Sequence, residues 1–173
     1  MRYLQGGGFR NHPLMRLTLG GTLVLLAGLW VTNGLMYFQR MGLTPDSVVR
    51  YYRGSEADFT EPRTYASMLE TTHIHLPMMA LVALLLTHLA IFLPWRERTR
   101  VTLILSTFGC ALGGEAASWL VRYASPSWAW LKIVCFVGLE VSMGILLTGL
   151  AGYLLLPARR GALVIPEDDS PID

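Results

Sequence analysis

Residues 72–95 read THIHLPMMALVALLLTHLAIFLPW, and this stretch decides the fold class of the chain. It contains no Asp, Glu, Lys or Arg, and it is long enough to cross about 30 Å of hydrocarbon as one helix. Three other stretches of similar length are equally apolar, so we predict an all-α integral membrane protein. The predicted fold is a four-helix transmembrane up-and-down bundle with a short periplasmic surface helix. The four predicted spans lie at about 17–38, 72–95, 101–121 and 131–156.

The overall composition supports the same class. Hydrophobic residues make up 53% of the chain and charged residues 15%, whereas a soluble domain carries roughly 25% charged residues. This balance excludes an intrinsically disordered chain and a secreted disulfide scaffold. The net charge of +2 is too small to indicate a nucleic-acid partner. We therefore predict a single membrane domain, residues 1–173, with the lipid bilayer as its first partner.

The distribution of basic residues predicts the orientation of the spans. Of the 14 Lys and Arg residues, eight fall on one side of the predicted membrane and six on the other. The densest cluster beside a span is Arg96, Arg98 and Arg100, and such clusters favour the cytoplasmic side. Both termini are then cytoplasmic in a bacterial inner membrane, segment 39–71 is periplasmic, and the acidic tail 161–173 is cytoplasmic.

The periplasmic segment contains the signals of a short helix. Thr44, Pro45 and Asp46 are typical of a helix start, and Gly54 is typical of a helix end. Two interpretations of this helix stay open, a plain interfacial connector and a docking site for a partner subunit. Downstream, residues 67–70 read SMLE, a capping-box pattern, which predicts that the second long helix begins before the bilayer.

Three of the four histidines lie in the second predicted span, at His73, His75 and His88. Imidazole is a common ligand of haem iron and of other transition metals. His73 and His88 are about 22 Å apart along an ideal helix, as two stacked haems of a b-type cytochrome require. The other spans contain no histidine, so the missing ligand would come from a second protomer (a homodimer) or from a thioether such as Met143, or the iron would be five-coordinate. The alternatives are a metal site that includes Glu70, and histidines that only form hydrogen bonds with no cofactor.

Two glutamates, Glu115 and Glu140, occur inside the third and fourth predicted spans. An ionisable group within a span is costly unless it is paired or hydrated, so it is a functional candidate. Glu115 is predicted to orient a histidine N–H beside a ligand or to couple proton movement. The alternative is a carboxyl group that stays protonated and bonds a hydroxyl such as that of Ser142 or Thr107, and this protonated state is favoured more for the deeper Glu140.

Several short motifs together resemble a poorly characterised family of small bacterial four-span inner-membrane proteins. The motifs occur in order across residues 14–155 and include a second span with a His-x-His…His-Leu pattern. The resemblance implies a bacterial membrane redox or accessory context. The motifs are Gly42-Leu43-Thr44-Pro45, Tyr51-Tyr52-Arg53-Gly54, Glu70-Thr71-Thr72-His73-Ile74-His75, Thr87-His88-Leu89, and Glu115 followed by Trp119-Leu120 and Arg122-Tyr123.

Two classes of function compete at this point. The first is a membrane electron-transfer component, either like a b-type cytochrome with heme b or a subunit that links periplasmic redox proteins to the membrane. Its partners would be other membrane subunits and a periplasmic cytochrome or a quinone. The alternative is a cofactor-free structural accessory subunit of a larger respiratory or photosynthetic complex. No nucleophile–base arrangement occurs, so the chain is expected to act within an oxidoreductase complex rather than as an enzyme on its own.

Overall fold

The computed structural model describes residues 13–155, which form five α-helices and one short 3₁₀ turn. Four of these helices are long and apolar enough to cross a membrane, and the predicted all-α membrane bundle is thereby confirmed. The predicted acidic tail 161–173 and the last residue of the fourth predicted span lie outside the described residues. The elements are α1 Pro13–Arg40, α2 Pro45–Arg53, α3 Tyr65–Ala90, α4 Glu97–Tyr123, the 3₁₀ turn Pro126–Trp128 and α5 Ala129–Leu155.

Helix α5 is the centre of the bundle. It packs most extensively against α4 and also contacts α1 and α3. Helix α3 packs on α4 and α5, whereas α1 packs on α5. Within residues 13–155, α1 and α3 share no extended interface. The bundle is therefore open along one side, between α1 and α3.

Small residues allow α4 and α5 to approach each other closely. A Cβ atom at Gly113 would lie 2.9 Å from the Sγ atom of Cys135, and one at Gly138 would lie 2.6 Å from the Sγ atom of Cys110. Each glycine therefore provides the space that the thiol of the facing helix occupies. Because the two contacts are reciprocal, they fix the register of the antiparallel α4–α5 pair.

The outer faces of the long helices carry large exposed apolar side chains. Leu25 is 76% exposed, Val24 72% and Leu105 68%. Apolar surface of this extent marks a membrane or protein interface, and continuous helices satisfy their own backbone hydrogen bonds in hydrocarbon. Contact with the lipid bilayer accounts for this surface.

Helix α2 covers one end of the bundle. It runs from Pro45, with Thr44 extended before it, to Arg53, and Gly54 follows at φ +78°, so the predicted short helix is confirmed. Val48 is fully buried and packs with Tyr52 in a cluster that includes residues of α1, α4 and α5. One face of α2 is thus part of the protein core.

The start of α3 differs from the predicted capping box. The helix begins at Tyr65, and the Thr64 hydroxyl oxygen accepts a hydrogen bond from the Ser67 backbone N–H at 3.2 Å. Ser67 is therefore inside the first turn and does not cap the helix. The predicted N-cap residue, Ser67, was wrong because Thr64 offers an equivalent hydroxyl three residues earlier.

Candidate functional site

A cavity of about 300 Å³ lies between α1 and α3, with α4 and α5 behind it and α2 at one end. This volume lies at the lower end of the range for small-molecule sites in proteins. Such sites are mostly apolar and contain a few polar groups. Methionine side chains dominate the apolar wall, and such side chains adapt to ligands of different shape. The apolar lining includes Met36, Met68, Met78, Met79, Met143, Phe136 and Leu139.

Three ionisable side chains from three helices meet in the half of this cavity nearer α2. The Nδ1 atom of His75 on α3 lies 3.1 Å from the Oε1 atom of Glu115 on α4. The Nζ atom of Lys132 on α5 donates a hydrogen bond to the Gly114 carbonyl oxygen at 3.0 Å, and its charge faces Glu115. The Glu115 side chain is 7% exposed and that of His75 is 51% exposed. We call His75, Glu115 and Lys132 the polar cluster.

The polar cluster is joined to α2 through a buried hydroxyl pair. The hydroxyl groups of Tyr52 and Ser118 lie 2.9 Å apart, and Ser118 donates to the Gly114 carbonyl oxygen at 3.0 Å. Since the single Ser118 proton serves Gly114, the Tyr52 hydroxyl donates to Ser118. Burial raises the pKa of Tyr52 above its ordinary value of 10.0, so its phenol stays protonated at physiological pH.

Glu140 has a different partner from the expected one. The side-chain amide of Asn33 on α1 donates to the Glu140 carboxylate at 2.5 Å, and the Trp30 indole N–H donates to the Glu140 backbone carbonyl at 3.0 Å. The expected hydroxyl partner Ser142 instead lies 2.8 Å from the Ser106 hydroxyl. Helix α1 packs on this face of α5, so an amide of a neighbouring helix, rather than a hydroxyl, meets the Glu140 carboxyl group.

The predicted histidine ligands are separated by the fold. All three histidines are exposed, but His75 lines the cavity, whereas His73 and His88 lie outside its lining. The ring of His88 contacts Phe92 edge-to-face, with centroids 5.9 Å apart. Among residues 13–155, no three His, Cys, Asp or Glu side chains lie together in an arrangement that could hold a metal ion. A metal bound to His73 or His88 would therefore need ligands from outside this part of the chain.

Glu115 lies beside a histidine ring nitrogen, and its role beside a ligand or in proton coupling stays a prediction. Lys132 belongs to the polar cluster but was not predicted as a site residue. It entered the sequence analysis only as one of the 14 basic residues that predict the orientation of the spans. The signal that could have identified it is its position as the second residue of the predicted fourth span, where a lysine is costly unless it has partners.

The chemistry available in the cavity follows from this arrangement. The imidazole and the ammonium group can donate hydrogen bonds to carbonyl oxygens of a ligand, and the carboxylate can hold a proton or orient the imidazole. The surrounding methionine and aromatic side chains accept an apolar ring or chain. Such a site fits a ligand with a flat or elongated apolar body and hydrogen-bond acceptors at one end.

Comparison with known proteins gives one result. Residues 42–161 match the model of the Aq_1264_TM family, described as a transmembrane helical domain. Neither the curated proteins nor the solved structures gave a match. The match begins after α1 and includes α2, α3, α4 and α5. Because it covers well over half of the chain, this protein belongs to the Aq_1264_TM family of transmembrane helical domains.

Proposed function

We propose that this protein is a membrane electron-transfer component that binds a quinone in the cavity between α1 and α3. The observation that carries the proposal is the meeting of His75, Glu115 and Lys132 within a cavity whose other walls are largely apolar. Ionisable groups at this depth are functional candidates because the bilayer makes them costly. The proposal retains the bacterial inner membrane as the location, with both termini in the cytoplasm.

A quinone matches the cavity in shape and in polarity. Its ring is flat and apolar on both faces, which suits contact with methionines and with Phe136 on the cavity wall. Its carbonyl oxygens accept hydrogen bonds, which the His75 imidazole and the Lys132 ammonium group can donate. Its isoprenoid tail would leave between α1 and α3, where the bundle is open toward the bilayer.

The polar cluster also suits the protons that accompany quinone reduction. Conversion of a quinone to a quinol takes up two electrons and two protons. The half-exposed His75 ring contacts the buried Glu115 carboxylate, so the pair can pass a proton between the outer edge of the cavity and the ligand. The electrons would come from a partner redox protein, which keeps this chain a subunit of an oxidoreductase complex.

Binding of decylubiquinone to the purified full-length protein tests the proposal, with quenching of tryptophan fluorescence as the readout. We expect saturable binding, and His75→Ala and Glu115→Gln should each weaken it by about tenfold or more, since hydrogen bonds involving charged groups are worth at least this much. His73→Ala is the matched control, because it removes an imidazole two residues away that does not line the cavity. Equal affinity of all three variants, or no saturable binding, would reject the quinone site.

An optical spectrum of the same preparation separates the two forms of the electron-transfer hypothesis. A haem band in the oxidised and dithionite-reduced protein that is lost in His73→Ala or His88→Ala would favour the heme b hypothesis, with the missing ligand supplied by a second protomer. Absence of both quinone binding and a haem band would leave the cofactor-free accessory subunit as the function.

A further inference from the structure

A second group of polar residues lies at the mouth of the cavity, at the end covered by α2. It consists of Arg40 at the end of α1, Tyr51 on α2, and Arg63 just before α3. All three line the same cavity and are distinct from the residues of the polar cluster. We call Arg40, Tyr51 and Arg63 the mouth cluster. Two of its three members are cations, so its natural ligand is an anion.

Both arginines contact the same tyrosine. The Nη1 atom of Arg40 donates to the Tyr51 hydroxyl at 3.3 Å. The Cζ atom of Arg63 lies 5.3 Å from the centroid of the Tyr51 ring, a cation–π distance. Two positive charges are thus held around one aromatic ring, and their mutual repulsion is unfavourable unless a negative charge lies between them.

No acidic side chain provides that negative charge within the described residues. The ion pairs found in residues 13–155 are Arg50 with Asp58 and His75 with Glu115. Other arginines at this end of the bundle bond carbonyl oxygens, as Arg53 does with Val121 at 2.6 Å and Arg122 with Arg63 at 2.8 Å. The arginines of the mouth cluster therefore have no carboxylate partner in residues 13–155.

Arg63 also carries an unused hydrogen-bond donor. Its Nε atom is buried and has no hydrogen-bond partner among residues 13–155, which is unfavourable for a charged donor. The Arg63 backbone is fixed on both sides, because its N–H donates to the Tyr52 carbonyl oxygen at 3.0 Å and its carbonyl accepts from Arg122. An oxyanion that reached this Nε atom would satisfy the donor without movement of the backbone.

The position of the mouth cluster indicates the source of the anion. Arg40 ends a span and Arg63 precedes one, so both lie where the hydrocarbon meets the phosphate layer of the bilayer. Immediately inside, the cavity is lined by Met36, Met41 and Met68, and it continues along the open side between α1 and α3. Phosphate with an attached acyl chain is the ligand that matches a cationic mouth and an apolar cleft together.

We infer that the mouth cluster binds the phosphate head group of an anionic phospholipid, with one acyl chain in the cleft between α1 and α3. The guanidinium groups of Arg40 and Arg63 hold the phosphate oxygens, and the Tyr51 hydroxyl adds a further donor once Arg40 turns to the phosphate. The residues that hold the phosphate are distinct from the polar cluster, although the acyl chain would lie in the same cleft that the quinone tail is proposed to use.

Native mass spectrometry of the full-length protein in mixed micelles tests this site. The probes are phosphatidylglycerol and phosphatidylcholine with the same acyl chains, and the readout is the ratio of the two lipid-bound species. We expect a preference for phosphatidylglycerol that falls by about tenfold or more in the Arg40→Gln/Arg63→Gln double variant. Arg50→Gln is the matched control, because Arg50 is an exposed arginine that already pairs with Asp58 and should leave the ratio unchanged.

Two further measurements decide between the remaining outcomes. Arg63→Lys keeps the charge but loses the guanidinium fork, so it should remain folded and show a reduced preference even if the double variant fails to fold. An unchanged ratio in Arg63→Lys and in the double variant would overturn the site. Inorganic phosphate added alone should not displace phosphatidylglycerol; full displacement would assign the cluster to a free anion and overturn the lipid assignment.

Discussion

The hydroxyl pair between Tyr52 and Ser118 offers a direct test of how α2 is attached to the bundle. Tyr52 is 6% exposed and Ser118 4% exposed, so water cannot replace either partner. Tyr52 donates to Ser118, which itself donates to the Gly114 carbonyl oxygen. The two residues are therefore not equivalent. Replacing one or the other should cost different amounts of stability.

The expected magnitudes follow from which group loses its partner. In Tyr52→Phe, the Ser118 proton keeps its acceptor, so only one hydrogen bond is lost, at about 1 kcal/mol. In Ser118→Ala, the Tyr52 hydroxyl stays buried without an acceptor, so the free energy of unfolding should fall by about 2–3 kcal/mol. The double variant leaves no buried hydroxyl without a partner. Its loss in free energy of unfolding should therefore be smaller than the sum of the two single losses by about 1 kcal/mol or more.

Chemical unfolding of the purified protein in detergent micelles measures these differences, with helical circular dichroism as the readout. Tyr51→Phe is the control, because the Tyr51 hydroxyl accepts its hydrogen bond from the exposed Arg40 side chain, and removal of the hydroxyl should change the free energy of unfolding by no more than about 0.5 kcal/mol. Additive single changes, or a larger loss in Tyr52→Phe than in Ser118→Ala, would refute the assigned direction of the hydrogen bond and the attachment of α2 through it.

Two further predictions concern the turn after α2 and the orientation of the chain. Gly54→Ala should lower the free energy of unfolding by about 2 kcal/mol or more, because φ is +78° and a Cβ atom would lie 2.5 Å from the Thr60 carbonyl oxygen. Gly28→Ala is the control in the same unfolding assay, since no atom lies within 4 Å of its added Cβ, and a loss equal to that of Gly54→Ala would contradict the steric argument. A topology reporter fused after Asp173 should be active in the cytoplasm, and activity only in the periplasm would reverse the proposed orientation.

The sequence by itself determined the membrane class and the helical elements. Apolar composition and length are local properties, so residues 72–95 indicate a span whatever surrounds them. The bounds of α2 could also be predicted from the sequence. Proline fixes φ at a value that suits the start of a helix, as at Pro45, and glycine tolerates the positive φ that ends one, as at Gly54. Glu115 could be singled out because a carboxyl group inside a span is costly in any fold.

Only the tertiary structure decided which of the candidate side chains meet. Helical periodicity gives the angle between His73, His75 and His88 on one helix, but it does not give the rotation of that helix in the bundle. Packing of α3 on α4 set the rotation and brought His75, rather than His73 or His88, to Glu115. His75 and its partner Glu115 lie on different helices, as do Asn33 and Glu140. Contacts of this kind depend on how side chains of segments distant in sequence pack together, and no local sequence pattern predicts that packing.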